Sequence, residues 1–157
     1  MAERKYPVPE DDRDRKLLAD IKRVGWAVMM VSADKDGPGF AYSIGLYETL
    51  SHAEILIMGL PPQTAQQLIN LMGYAIQDGK QFEAGKRYDD LADGLPLALI
   101  TMDKRYYRDY LGYAGWFYDG WEFPVLQCIW PDKEGVFPGE QGYDSRFFQN
   151  QRVLGST

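Results

Sequence analysis

Cysteine and histidine are nearly missing from this chain of 157 residues, which contains one of each, Cys128 and His52. A disulfide within the chain is therefore excluded. A tetrahedral zinc site needs about four cysteine or histidine ligands, and the chain cannot supply them. Neighbouring Asp and Glu residues in the chain also lack the spacing of an EF-hand loop, which binds calcium. The sequence therefore predicts no metal centre.

Positive charge and long apolar runs are also scarce. Seventeen Lys and Arg residues face 23 Asp and Glu residues, and the net charge is −6. Binding to nucleic acid needs clustered cations that displace phosphate counterions, so no nucleic-acid partner is expected. No apolar run approaches the roughly 20 residues of a membrane span, and the first twenty residues lack the apolar core of a signal peptide. We expect a cytoplasmic protein without membrane contact.

Length and composition are typical of one folded domain. Hydrophobic residues make up 45% of the chain and charged residues 25%. Pro7 and Pro9 interrupt any helix in the first ten residues. The sequence therefore predicts an extended N-terminal lead over residues 1–10 and a single α+β domain over residues 11–157.

Hydrophobic periodicity predicts the elements of that domain. The predicted helices cover 12–24, capped by Asp11 or Asp12, and 62–76, and a short helix follows Asp103. The predicted strands cover 26–31, 40–46, 55–60, 97–100 and 125–130, and residues 80–95 form a long connection. The first two strands are joined too tightly for a parallel crossover. We predict an α+β fold with a mostly antiparallel sheet or a partly closed (split) β-barrel and two or three flanking helices.

His52 and Glu54 are candidates for general acid–base catalysis. In an extended segment two residues apart, their side chains point the same way, and a carboxylate can orient an imidazole or raise its pKa. The alternative is a polar surface loop between two strands. Ser43 is a weaker candidate nucleophile, because no G-x-S-x-G turn surrounds it and its hydroxyl can instead bond the main chain.

Alternation along the last predicted strand separates Cys128 from Gln127. Cys128 shares a face with Leu126 and Trp130, which is typical of core rather than of a reactive thiol. Gln127 points the other way, and a buried amide must find hydrogen-bond partners. Those partners are either a ligand or a neighbouring loop.

Aromatic side chains are unusually dense between Tyr106 and Phe123. Glycines interrupt the segment, and cations such as Arg108 flank it. Such rings can stack a planar ligand, form a protein interface, or simply cover the core. The candidate binding residues in this segment are Tyr113, Trp116, Tyr118 and Trp121.

Several segments resemble one bacterial family. They are Tyr42-Ser43-Ile44-Gly45-Leu46, His52-x-Glu54, and Gln127-x-x-Trp130-Pro131-Asp132. Together with Gly25-Trp26 they are similar to Domain of Unknown Function 4262 over most of residues 24–140. Members usually have proline before the glutamate, where this chain has Ala53. The resemblance implies a domain family with no assigned reaction.

The order strand, turn, strand, strand, helix also resembles the opening of flavin-binding split barrels, whose sites lie between two subunits. This likeness implies a flavin nucleotide as cofactor and a homodimer, and it concerns fold alone.

The leading functional hypothesis is a small cytoplasmic binding domain that recognises a planar small molecule or a protein partner through its aromatic-rich surface. The alternative is a flavin-dependent oxidoreductase of split-barrel type, and the second alternative is a hydrolase using His52 and Glu54. Beside the aromatic segment, the hypothesised binding site includes Tyr42, Ser43, Arg108, Gln127, Trp130 and Asp132.

Overall fold

We describe a computed structural model of the chain over residues 6–146 and 150–156. Its helices are α1 (Asp12–Val24), α2 (Leu46–Leu50), α3 (Pro62–Gln77), α4 (Tyr107–Tyr110) and α5 (Gly112–Tyr118), with a 3-10 turn at Lys104–Tyr106. Its strands are β1 (Ala27–Val31), β2 (Phe40–Ile44), β3 (Glu54–Met58), β4 (Arg87–Ala92), β5 (Leu95–Met102), β6 (Val125–Ile129) and β7 (Gly155–Ser156). Residues 1–5 of the predicted N-terminal lead lie outside the described residues.

The strands form one open sheet in the order β1-β2-β3-β6-β5-β4, and β7 pairs with the free end of β5. All neighbours are antiparallel except β3 and β6, which run parallel. The predicted α+β class and mostly antiparallel sheet are confirmed. The sheet does not close into a barrel, because β1 and β4 lie at opposite edges. Five α-helices flank it in the described ranges, where two or three were predicted.

Helix α1 begins and ends where the sequence predicts. The Asp11 carboxylate accepts a hydrogen bond from the main-chain N–H of Asp14 at 2.8 Å, which caps the first turn. Gly25 ends the helix at φ 111°, a left-handed conformation that favours glycine. The buried face carries Leu17, Leu18 and Ile21.

Three of the predicted strands have an end that is wrong by two residues: β2, β3 and β5, which spans 95–102 rather than 97–100. Strand β2 ends at Ile44 rather than at 46, because Gly45 turns the chain at φ 116° into the short helix α2. Strand β3 spans 54–58 rather than 55–60. The errors at the C-terminal ends of β2 and β3 fall at glycine turns, Gly45 and Gly59, where hydrophobicity continues although the strand does not.

The predicted long connection over residues 80–95 is also wrong in part, since it contains β4. This strand forms a hairpin with β5 through a turn at Asp93-Gly94, where Gly94 adopts φ 72°. An Asp-Gly pair is a strong hairpin signal. The polar side chains of β4 hid the strand from a hydrophobicity pattern.

Helices cover both faces of the sheet, and β3 shows this most directly. Its Ile55 and Ile57 pack in a cluster with Ile69 of α3. Its Leu56 and Met58 pack on the other face, in a cluster that contains residues of α1 and α5. All five residues of β3 are buried. The sheet therefore forms the middle of three layers.

Within the described chain, we find no helix with both the length and the apolar character that crossing a membrane requires.

Candidate functional site

The carboxylate of Glu54 is the centre of a buried hydrogen-bond cluster. Its Oε1 accepts from the Ser43 hydroxyl at 2.7 Å and from the Leu46 N–H at 3.1 Å. Its Oε2 accepts from the N–H groups of Gly45 at 2.9 Å and Tyr47 at 3.3 Å. The Tyr118 hydroxyl also donates to Oε2. The cluster therefore joins strands β2 and β3 to helices α2 and α5.

Burial dominates the electrostatics of this cluster. It raises the pKa of the Glu54 carboxyl, and the hydrogen bonds from Tyr118, Ser43, Gly45 and Tyr47 oppose that shift. Burial and the adjacent Glu54 raise the pKa of the Tyr118 hydroxyl. Glu54 is 1% exposed and Ser43 is 0% exposed. Such a closed arrangement holds the α2 turn in place and offers no surface at which a substrate could meet these oxygens.

His52 lies apart from the Glu54 cluster in its hydrogen bonding. Its Nδ1 lies 2.9 Å from the Ala53 carbonyl oxygen, and its Nε2 accepts from the Phe82 N–H at 3.0 Å. Because Nε2 is the acceptor, Nδ1 carries the proton in this arrangement. Both ring nitrogens are therefore used to fix the segment around Phe82 against the start of β3.

Gln127 binds the C-terminal segment of the chain. Its amide nitrogen donates to the Arg152 carbonyl at 2.6 Å, and its amide oxygen accepts from the Leu154 N–H at 2.7 Å. Gln127 is 0% exposed. Of the two partners left open by the sequence, a ligand or a neighbouring loop, the structure places a neighbouring segment at both amide atoms.

Trp130 and Asp132 also organise the chain after β6. The Trp130 indole N–H donates to the Met58 carbonyl at 2.7 Å. The Asp132 carboxylate accepts main-chain N–H groups from Glu134, Val136 and Asp144, each at 2.9 Å. Burial acts to raise the pKa of the Asp132 carboxyl, but these hydrogen bonds lower it, and the net shift is downward.

The aromatic segment between 106 and 123 covers the core. Tyr107, Phe117 and Phe123 are buried, and the remaining rings of the segment are half-buried. They pack on the cluster that also contains Tyr42. Burial raises the pKa of the Tyr42 hydroxyl to about 12. The structure therefore favours the interpretation of these rings as core cover.

Further contacts of the segment join it to α1 and link its own side chains. The Tyr113 hydroxyl donates to the Asp14 carboxylate at 2.9 Å, and the Trp116 ring meets Tyr113 edge-on at 5.8 Å. The Arg108 guanidinium lies 5.5 Å from the centre of the Trp121 ring. Together with the bond from Tyr118 to Glu54, these contacts tie the segment to α1, to β3 and to itself.

Cys128 is 0% exposed, and burial raises the pKa of its thiol to about 12. It packs in the same cluster as Leu126 and Trp130, as the alternation predicts. In the described ranges, no group of three or more His, Cys, Asp or Glu side chains is arranged to hold a metal ion.

A groove of about 490 Å³ opens along the edge of the sheet at β1. Helix α1 forms one wall and helix α3 the other, and β1 forms the floor. Two large apolar side chains at the groove are exposed, Met30 by 40% and Tyr74 by 53%. We call this feature the α1–β1–α3 groove. Its volume falls in the range of about 300–1,000 Å³ that is usual for binding sites.

Cations predominate on the α1 wall of this groove. Arg13, Lys16 and Arg23 line it together with one carboxylate, Asp20. Asp20 accepts from Lys16 at 3.0 Å and from Arg23 at 3.2 Å. The side chains of Lys16 and Arg23 remain 79% and 74% exposed. The groove is therefore positive on a chain whose net charge is −6.

Sequence reasoning did not single out this groove, although one signal was present. The four charged residues of its wall recur at intervals of three or four, which places them on one face of α1. What the pattern could not supply is the position of α1 beside the outer strand β1.

These observations define the class of the protein. It is an α+β domain with helices on both faces of an open, mixed sheet and with a charged groove at one edge. The family model described as Domain of unknown function (DUF4262) matches residues 20–144. The chain belongs to that family. Searches among curated proteins and solved structures gave no significant match.

Proposed function

We propose that this domain is a non-enzymatic protein-binding domain whose partner occupies the α1–β1–α3 groove. One observation carries the proposal. A sheet edge, exposed apolar side chains and a cluster of cations coincide at one place on the surface. Main-chain groups, apolar contacts and charges are the three sources of affinity and specificity that peptide-binding grooves combine.

A polypeptide suits this groove better than a planar small molecule does. Trp26 is 2% exposed, and its indole N–H donates to Asn70 at 3.0 Å. Tyr74 packs edge-on against Trp26, at 5.1 Å between the ring centres. A flat ligand would therefore meet one exposed ring rather than a pair. An extended chain, in contrast, can follow the strand along its length.

The two enzymatic hypotheses have no comparable support. The ring nitrogens of His52 serve main-chain groups, and the Glu54 carboxylate is enclosed. The flavin-dependent oxidoreductase remains a prediction from fold likeness. Quenching of flavin fluorescence by micromolar protein would favour it over the binding proposal.

Selection from a random peptide library displayed on phage tests the proposal without a known partner. The purified domain serves as bait, and the selected peptides are then tested on two variants. Gln66 lines the groove, so Gln66→Trp fills it. Gln67 lies on the same helix, is exposed, and is not a groove residue, so Gln67→Trp is the matched control.

We expect the selected peptides to bind the wild-type domain and Gln67→Trp, and to lose binding to Gln66→Trp. Thermal unfolding of both variants verifies that each is folded. A library that yields no peptide sensitive to Gln66→Trp would contradict the proposal.

A further inference from the structure

We infer that the occupant of the α1–β1–α3 groove is an acidic polypeptide segment that lies extended beside β1 and adds a strand to the sheet. This inference rests on the proposed function and specifies the chemistry of the partner. Its support comes from the β1 edge, from its contrast with the other edge of the sheet, and from the charges of the groove.

Strand β1 has the character of an edge that can accept another strand. It pairs with β2 over five consecutive residues without a bulge, from Ala27 opposite Ile44 to Val31 opposite Phe40. Its sequence is Ala-Val-Met-Met-Val, with no charge and no proline. Edge strands are ordinarily protected from pairing by charge, proline or a bulge. The side chains of β1 provide none of these.

The opposite edge of the sheet is protected in the usual way. The pairing of β4 with β5 shifts register between Tyr88 and Ala92. Asp89 and Asp90 lie within that irregular stretch and are exposed. A bulge and adjacent carboxylates both oppose the addition of a strand. Of the two outer strands, β1 is therefore the one suited to pairing.

The charges of the groove select for an acidic segment. Three cations and one carboxylate line the α1 wall, and two of the cations, Lys16 and Arg23, share that carboxylate, Asp20. Arg13 reaches further along the wall, where its guanidinium donates to the Met29 sulfur at 3.3 Å. A partner carboxylate placed here would meet an excess of positive charge.

The position of β1 between α1 and α3 also predicts how acidic residues are spaced in the partner segment. Side chains of a strand alternate between the two faces of its sheet. Met29 packs on the face of α1, whereas Val28 packs on the face of α3. In an added strand, every second side chain would therefore meet the cations of α1. The intervening side chains would meet Gln66 and Tyr74. We expect carboxylates at alternate positions of the partner.

Charge makes a second copy of this chain a poor occupant. A two-fold pairing of β1 with another β1 would place the same surface of both copies at the joint. It would bring the cations of α1 in one copy towards those of the other, and like charges oppose such a contact. The acidic segment therefore belongs to another protein.

Titration with short peptides tests the inference directly. The probe is a nine-residue peptide, blocked at both ends, in which Glu alternates with Thr. Its counterpart replaces each Glu with Lys. We expect the Glu peptide to bind about tenfold or more tightly than the Lys peptide, with chemical-shift changes at the amides of Ala27–Val31. Equal affinity of the two peptides would overturn the preference for acid.

Two N-methylated peptides test strand addition separately from charge. One carries N-methyl groups on every Glu and the other on every Thr, so each blocks the donors on one edge of an extended chain. Strand addition requires one edge to face β1, and one of the two peptides should lose binding about tenfold more than the other. Equal binding of both would show attraction by charge without strand pairing, and would refute the inference.

Protein variants complete the design. The double variant Lys16→Glu with Arg23→Glu should bind the Glu peptide about tenfold or more weakly than the wild type does. Arg15→Glu with Lys22→Glu reverses two cations of the same helix outside the groove, and should change affinity by less than about threefold because exposed charges are screened by salt. Equal weakening in both variants would mean that net charge, rather than the groove, controls binding.

The outcomes distinguish the inference from the function on which it rests. If library peptides depend on the groove but are neither acidic nor extended, the inference fails and the protein-binding function stands. If no peptide depends on the groove, both fail. A dimer of the wild-type domain that Gln66→Trp dissociates would identify a second copy as the occupant and would also refute the inference.

Discussion

Ser43→Ala provides a sharp test of the Glu54 cluster, because the Ser43 hydroxyl links two neighbouring strands. Its oxygen accepts from the Ile55 N–H at 2.9 Å, and its proton is donated to Glu54 at 2.7 Å. The substitution removes both hydrogen bonds. Ile55 is 0% exposed, so water has no direct access to replace the lost partner of its main-chain N–H.

The expected loss of stability follows from that orphaned donor. A buried donor left without a partner costs about 1–3 kcal/mol. Glu54 retains four other donors, so its own loss adds little. We expect the free energy of unfolding to fall by about 2 kcal/mol. For a chain of this length that corresponds to a decrease in Tm of about 4–8 °C.

Urea unfolding monitored by tryptophan fluorescence measures this change. The matched control is Ser32→Ala, since Ser32 is exposed in the turn between β1 and β2. We expect the control to stay within about 0.5 kcal/mol of the wild type. If Ser43→Ala also stays within that range, with an unchanged dependence on urea concentration, the hydroxyl does not join the strands as argued.

Three further perturbations test other parts of the fold. Burial raises the pKa of the Glu54 carboxyl in the folded state. The stability that the protonated carboxyl contributes is therefore complete below the unfolded pKa of about 4.3 and is lost as pH rises through the folded pKa. Over that window, the stability of the wild type should fall relative to that of Glu54→Gln. Gln127→Leu removes two buried hydrogen bonds and should cost about 2–4 kcal/mol. In Gly73→Ala the new methyl group would lie 2.5 Å from the Trp26 ring, so we expect a loss of about 1–2 kcal/mol from overpacking, measured by urea unfolding.

Each of these predictions has a clear contrary result. If the wild type instead became more stable relative to Glu54→Gln as pH rises, the folded state would favour the ionised carboxylate of Glu54. Gln127→Leu would contradict the structure if the amides of residues 152–156 kept wild-type hydrogen exchange. Gly112→Ala is the control for Gly73→Ala, because nothing lies within 4 Å of its new methyl group; it should be neutral or stabilising by up to about 1 kcal/mol.

Predictions from local patterns succeeded where the cause is also local. The Asp11 cap and Gly25 stop of α1, and the alternation that buries Cys128, act within a few residues. The predicted end of β2 beyond Gly45 and the connection predicted in place of β4 were wrong, because hydrophobicity reports neither a glycine turn nor a polar strand.

The candidate sites depended on contacts that sequence spacing cannot reveal. His52 and Glu54 are two residues apart, yet their side chains use different partners. Glu54 instead joins Tyr118, which lies 64 residues further along the chain. Gln127 meets the main chain 25 residues away, at Arg152. The sequence identified Gln127 as an amide in need of partners and His52 and Glu54 as polar candidates, but it could not show which groups each one meets.

By itself, the sequence determined the α+β class, the principal helices and most strands, because periodicity, capping and turn chemistry act along the chain. The tertiary structure decided the strand order, the parallel pairing of β3 with β6, and the placement of α1 and α3 on opposite faces beside β1. Those features arise from packing between segments far apart in sequence. The α1–β1–α3 groove exists only after that packing is complete.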